Sequence, residues 1–146
     1  MSADNGVVPN EANTGDDTGA EVRATVLLAE DNEDNIITVV DYLMFRQFRV
    51  LTARTGAECL RIAAEELPDI ILMDIQMPEM DGLSAIGYLR KMPGLAQTPV
   101  IALTALAMAG DRERCLAAGA TDYLSKPVSL RELVRMLEYH LHLGSA

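Results

Sequence analysis

Short apolar runs that break off at a reactive polar residue recur along this chain, and they constrain its fold more than any other feature. Val26-Leu27-Leu28-Ala29 leads into Glu30-Asp31, and Ile70-Ile71-Leu72-Met73 leads into Asp74. Val100-Ile101-Ala102-Leu103 leads into Thr104, and Tyr123-Leu124-Ser125 leads into Lys126-Pro127. Runs this short, apolar throughout rather than alternating, fit strands buried on both faces of a parallel sheet. Together with 48–53, the pattern predicts strands over 25–30, 69–74, 99–104 and 121–125.

The segments between the runs carry helical periodicity. A first helix over 33–46 is expected to bury Ile36, Val40, Leu43 and Met44. A second over 57–67 presents Leu60, Ala63, Ala64 and Leu67 and stops at Pro68. A third over 83–91 carries Leu83, Ile86 and Leu89, and a fourth over 107–118 ends at Gly119 as a C-cap. The last begins after Ser129, with Glu132 placed to complete a capping box, and shows Leu130, Leu133, Val134, Leu137 and Leu141. Five βα units with right-handed crossovers imply an α/β fold with helices on both faces of a five-stranded parallel sheet. Five strands suit the flavodoxin-like order 2-1-3-4-5 better than the six-stranded dinucleotide arrangement. The crevice at the switch point then lies beside the first and third strands, where Glu30, Asp31 and Asp74 sit.

Those residues read as chemistry. Asp74 is about eight residues too early to cap the next helix, because the loop Ile75-Gln76-Met77-Pro78-Glu79-Met80-Asp81-Gly82 intervenes. It is therefore a candidate metal ligand or nucleophile. Adjacent acids such as Glu30-Asp31 repel each other unless a cation neutralises them, although capping of the first helix is an equally good reading of that pair alone. Magnesium takes oxygen ligands, usually one or two carboxylates plus phosphate oxygens. Asp31 and Asp74 suit direct ligation, with Glu30 acting through water. A phosphoryl group needs a cation and hydrogen-bond donors around its outer oxygens, which Lys126 and Thr104 supply. Lys126 is one of only two lysines in the chain.

The strings VLLAEDNEDN, IILMDIQMPEMDG, VIALTALAMAGDRE and AAGATDYLSKP resemble bacterial response-regulator receiver domains, of the stand-alone or hybrid-kinase type, and the resemblance covers residues 25 to about 143. It implies a phosphorylation-dependent signalling switch of a two-component system. Asp74 would accept a phosphoryl group from a histidine kinase or histidine phosphotransfer protein. Magnesium would be held by Glu30, Asp31, Asp74 and the backbone carbonyl of Gln76. Thr104 and Lys126 would bind the phosphoryl oxygens, Tyr123 would be the switch aromatic, and the Lys126–Pro127 peptide would be cis. Beyond its own phosphoryl transfer and autodephosphorylation, no enzyme activity is implied. A haloacid-dehalogenase-type phosphatase would need a second Asp two residues after Asp74, where Gln76 stands. A flavin-binding module would need a Ser/Thr/Gly phosphate loop in place of Glu30-Asp31-Asn32.

Composition bounds the rest. The chain has 146 residues, one domain's worth, 49% of them apolar. Its net charge of -10 argues against a nucleic-acid or anionic-membrane surface. No apolar run approaches the roughly 20 residues of a membrane span, and the amino terminus lacks signal-peptide order. Residues 1–24 are polar without periodicity, and Asp4, Glu11, Asp16, Asp17 and Glu21 against Arg23 give them a charge of -4. They are expected to form a disordered acidic leader to a folded domain over 25–143, with 144–146 as a tail. No output domain follows Leu143, so the expected output is a downstream protein partner or a place within a phosphorelay. Cys59 and Cys115 lack a CxxC spacing and read as core residues of a cytoplasmic protein. His140 and His142 read as dipole-complementing or solvated, and Arg112 and Arg114 as a solvated helix face.

Overall fold

Parallel strands buried on both faces need a helical layer on each side, and the chain supplies both. The computed structural model describes residues 21–105 and 108–144. Strands β1 (Thr25–Ala29), β2 (Arg49–Ala53), β3 (Ile70–Asp74), β4 (Val100–Thr104) and β5 (Asp122–Ser125) form one parallel sheet in the order β2-β1-β3-β4-β5. Helices α1 (Glu33–Phe45), α2 (Gly56–Glu66), α3 (Gly82–Leu89), α4 (Asp111–Ala118) and α5 (Leu130–Leu141) alternate with them. Class, order and all five strands agree with the sequence reading.

Side chains alternate across each strand, so every run divides between two cores. Leu27, Ile71, Met73 and Ala102 face one way, against Cys59 and Ala63 of α2, Ile86 and Leu89 of α3, and Cys115 of α4. Val26, Leu28, Leu72, Ile101 and Leu103 face the other, against Leu43 of α1 and Leu133, Val134 and Leu137 of α5. Every residue of the central strand β3 is buried. Both cysteines are free and buried, and burial pushes the Cys59 thiol up to about 12.

Local polar chemistry sets the helix starts. Side chains of Asn32, Thr55, Asp81 and Ser129 accept hydrogen bonds from the backbone N–H three residues on, which is ordinary N-capping. Gly119 closes α4 at φ 115, as its expected role requires.

Three details differ from expectation. In α1, Val39 turns inward and Met44 lies 48% exposed, because the apolar stripe is wide enough to be rotated. Leu67 does not continue α2. It adopts a left-handed φ of 45 as the C-cap and projects outward. The expected α4 start at 107 lies outside the described residues, and the helix begins at Asp111, after a turn at Ala109 and Gly110.

Most of the expected leader, residues 1–20, also lies outside the described residues. Arg23 does not behave as a leader residue. Its N–H donates to the Gln47 carbonyl, its guanidinium lies 4.9 Å from the Phe48 ring centroid, and it pairs with Glu138 at 2.9 Å.

Candidate functional site

The order of the strands brings the carboxyl ends of β1 and β3 together, and the sequence places acids at both. Asp74 is the last residue of β3 and only 2% exposed. Its Oδ1 accepts a hydrogen bond from the Gln76 N–H at 2.9 Å. The strand end is held from both sides, since Ile75 N–H donates to Leu103 O at 2.9 Å and Gly82 N–H donates to Ile75 O at 2.9 Å. Glu30, just past β1, is 3% exposed. Its Oε2 accepts from Asn32 N–H at 3.2 Å and from the Asn35 side chain at 3.5 Å. Asp31 is exposed at the mouth, and one oxygen from each of Glu30, Asp31 and Asp74 lies within 4.8 Å of the others.

Lys126 reaches into this cluster from β5. Its N–H donates to Thr104 O at 2.8 Å, which fixes the backbone where the strand ends, and the next peptide, Lys126–Pro127, is cis. Its Nζ lies 3.0 Å from Asp74 Oδ2 and 3.2 Å from Glu30 Oε1. Burial raises the Glu30 pKa, and the neighbouring Asp74 charge raises it further. Burial alone would lower the Lys126 pKa, but its hydrogen bond to Asp74 and the two carboxylate charges outweigh burial and hold it above the usual value. Three carboxylates against one ammonium leave a formal charge of -2 on hard oxygen donors. An oxygen-seeking divalent cation fits that donor set and that charge.

The other expected residues fall around this centre at different depths. Thr104, the last residue of β4, is 2% exposed, one position beyond Leu103, which pairs with Asp74. Tyr123 is not at the rim. It pairs with Ala102 and packs on the same core as that residue, on the face of the sheet that also carries Thr104. Gln76 lies on the loop after Asp74, and its side-chain oxygen accepts the Ala105 N–H at 3.3 Å. Arg114 pairs with Asp111 at 2.7 Å. His140 lies in the last turn of α5, where a dipole-complementing residue belongs, yet its ring is tied to Asp122 at 2.8 Å, away from the acids.

Sequence reasoning missed three contributors. Asn32 and Asn35 orient Glu30, and their spacing at the start of α1 was the available signal. Gly82 read only as the end of the loop after Asp74, yet a Cβ there would lie 2.5 Å from Asp74 O. A groove of about 500 Å³ opens beside the site, with Glu30, Asn35, Ala105, Lys126 and Pro127 in its lining.

Comparison with known proteins agrees with this geometry. Residues 26–138 match the response regulator receiver domain family. The polar-differentiation response regulator DivK of Brucella ovis is 39% identical over 117 residues, covering 80% of this chain and 95% of the relative. The receiver domain of a sensor histidine kinase from Pseudomonas aeruginosa PAO1, solved with magnesium in its active site cleft, superposes with a TM-score of 0.77. It is 39% identical, and the match covers 84% of this chain and 99% of that one. The BeF3-activated receiver domain of Klebsiella pneumoniae RstA gives 0.75 at 28% identity, covering 80% and 97% respectively. The haloacid-dehalogenase alternative finds no support in these matches or in Gln76. A buried strand-end aspartate joined to a lysine and two further acids, on this sheet order and with these relatives, places the chain in the response regulator receiver domain family.

Proposed function

We propose that Asp74 is the phosphoryl acceptor of a magnesium-dependent signalling switch. One observation carries the reading: a buried carboxylate at the end of the central strand is held 3.0 Å from an ammonium, inside a cluster of three acids. A carboxylate oxygen of Asp74 would attack the phosphorus of a phosphohistidine. The new O–P bond forms as the N–P bond breaks, and the imidazole nitrogen keeps the electron pair and takes up a proton. Lys126 neutralises charge on the outer phosphoryl oxygens and the Thr104 hydroxyl donates to one of them. Magnesium, when bound, supplies the remaining charge neutralisation, held by Asp31, Asp74 and the Gln76 backbone carbonyl, with Glu30 acting through water. The same site would hydrolyse the acyl phosphate in time.

The donor is a histidine kinase or histidine phosphotransfer protein, and the output is a downstream protein partner met through the surface around Tyr123. Its setting is the cytoplasm. Among the described residues no helix is long and apolar enough to cross a membrane. The folded unit is 25–143 with Arg23 anchoring its start, and the acidic leader is not needed for transfer. The testing experiment is incubation with magnesium and acetyl phosphate. One phosphoryl group per chain, released by hydroxylamine as acyl phosphates are, is the expected result; a hydroxylamine-stable label would move the acceptor to a hydroxyl.

The metal assignment has its own test. Magnesium titration should show Asp31→Ala losing about 100-fold in affinity and Glu30→Ala about tenfold, because a direct ligand matters more than a residue acting through water. Equal losses, or a larger one for Glu30, would reverse the two roles.

A further inference from the structure

We infer that the Gln76 side chain is a placeholder, occupying the backbone N–H of Ala105 until a phosphoryl group on Asp74 takes over that donor. The inference rests on the phosphoryl-acceptor reading and adds a positioning residue to it. Ala105 directly follows Thr104, and it shares the groove beside the site with Glu30 and Lys126. Its N–H is therefore a donor available to an anion held on Asp74. In this structure that donor is given to Gln76 Oε1, at 3.3 Å. Gln76 also holds the acceptor itself, through its own N–H on Asp74 Oδ1 at 2.9 Å. One residue thus links the loop after β3 to the loop after β4.

The chemistry favours an exchange. The amide oxygen of Gln76 is a neutral acceptor at long range, and the residue is exposed. A phosphoryl oxygen is charged, and hydrogen bonds to ionised acceptors are roughly twice as strong as those between neutral groups. A phosphoryl group would therefore win Ala105 from Gln76. Losing that bond would also unpin the start of the β4–α4 loop from the loop after β3. A carboxylate at position 76 would hold the N–H harder, and an apolar side chain would leave it to water.

The test compares wild type with Gln76→Met, which keeps the length of the side chain but removes the acceptor, and with Gln76→Ala as a second variant. Beryllofluoride is titrated at saturating magnesium, so that a change in metal affinity does not enter. Hydrogen exchange at the Ala105 amide is followed in the same samples. Freed from a competing hydrogen bond, both variants should bind beryllofluoride about two- to tenfold more tightly, with faster Ala105 exchange before it is added. Equal affinity would overturn the inference. Weaker affinity would overturn it too, by showing that Gln76 touches the phosphoryl group itself. If wild type bound no beryllofluoride while folded and magnesium-loaded, the phosphoryl-acceptor reading would fall first and take this inference with it.

Discussion

Asp74→Asn protein is expected to take up no phosphoryl group from acetyl phosphate in magnesium, while melting within a few degrees of wild type. The two halves of that result have separate causes. Labelling disappears because a carboxamide oxygen is neither the anionic nucleophile nor the charged ligand that the site requires. The fold persists because the substitution keeps the shape of the side chain and an oxygen to accept the Gln76 N–H. Breaking a buried ion pair by removing one partner ordinarily costs about 3–5 kcal/mol. Here Lys126 keeps Glu30 at 3.2 Å, so its charge is not stranded. The repulsion between Glu30 and Asp74, which helps raise the Glu30 pKa, is relieved at the same time. The two changes oppose each other and the net effect on stability is small. Mass measurement of intact protein after incubation reads the first half, and thermal melting reads the second. Labelling of the variant at the wild-type level would move the nucleophile elsewhere.

Among the described glycines, Gly82 should be the one where alanine does most damage. Alanine at a helical position normally gains about 1 kcal/mol over glycine. That gain is overruled by geometry, since the added Cβ would stand 2.5 Å from the Asp74 carbonyl oxygen and 2.7 Å from Ile75 Cα. Both are backbone atoms, so no side chain swings aside. Either α3 moves off the sheet or the end of β3 is pushed out, and the Gly82 N–H to Ile75 O bond is lost in both cases. A net destabilisation of about 2 kcal/mol follows from overpacking, which for a domain of this size is roughly 5–10 °C in Tm. The displacement also shifts Asp74 relative to Glu30, so magnesium affinity should fall with stability. A variant as stable as wild type would mean that α3 yields freely, and that the close approach of helix and strand does not hold the site.

The parts of this molecule that were legible in the sequence share one property: they repeat at a period that the backbone imposes. The apolar runs marked the strands because a strand buried on both faces tolerates little else. Glu30, Asp74, Thr104 and Lys126 were legible as a group because strand ends in a parallel sheet share a rim. What depended on rotation was less legible. Apolar residues at 36, 37, 39, 40, 43 and 44 do not say which edge of the α1 stripe turns inward, and the core that also holds Val26, Leu28 and Leu133 takes in Val39 and leaves Met44 outside. What depended on long-range approach away from the strand-end rim was not legible at all. Arg90 illustrates this. Its guanidinium donates to the carbonyls of Thr98 at 2.6 Å, Gly119 at 2.9 Å and Leu95 at 3.1 Å, and burial lowers its pKa. Neither period nor motif distinguishes that arginine from a solvated one. The same holds for Arg23, whose partners Phe48 and Glu138 are distant in sequence, and for the pairing of His140 with Asp122.

We propose that a charge placed on Asp74 is read by Thr104 and becomes a change at the surface around Tyr123. A ligand moves an equilibrium only through differential interaction with the two states, and the Thr104 hydroxyl is the group assigned to supply that difference. Amide hydrogen exchange across β4, α4 and β5, with and without beryllofluoride, measures it most directly when wild type is compared with Thr104→Ala. In wild type, beryllofluoride should alter protection in α4 and at Tyr123, on the face of the sheet that carries Thr104. In Thr104→Ala, beryllofluoride should still bind, because Asp74, magnesium and Lys126 remain, but the change in α4 and at Tyr123 should be lost. A Thr104→Ala protein that keeps the full wild-type change in exchange would show that the hydroxyl is not the sensor and that the signal leaves Asp74 by another route.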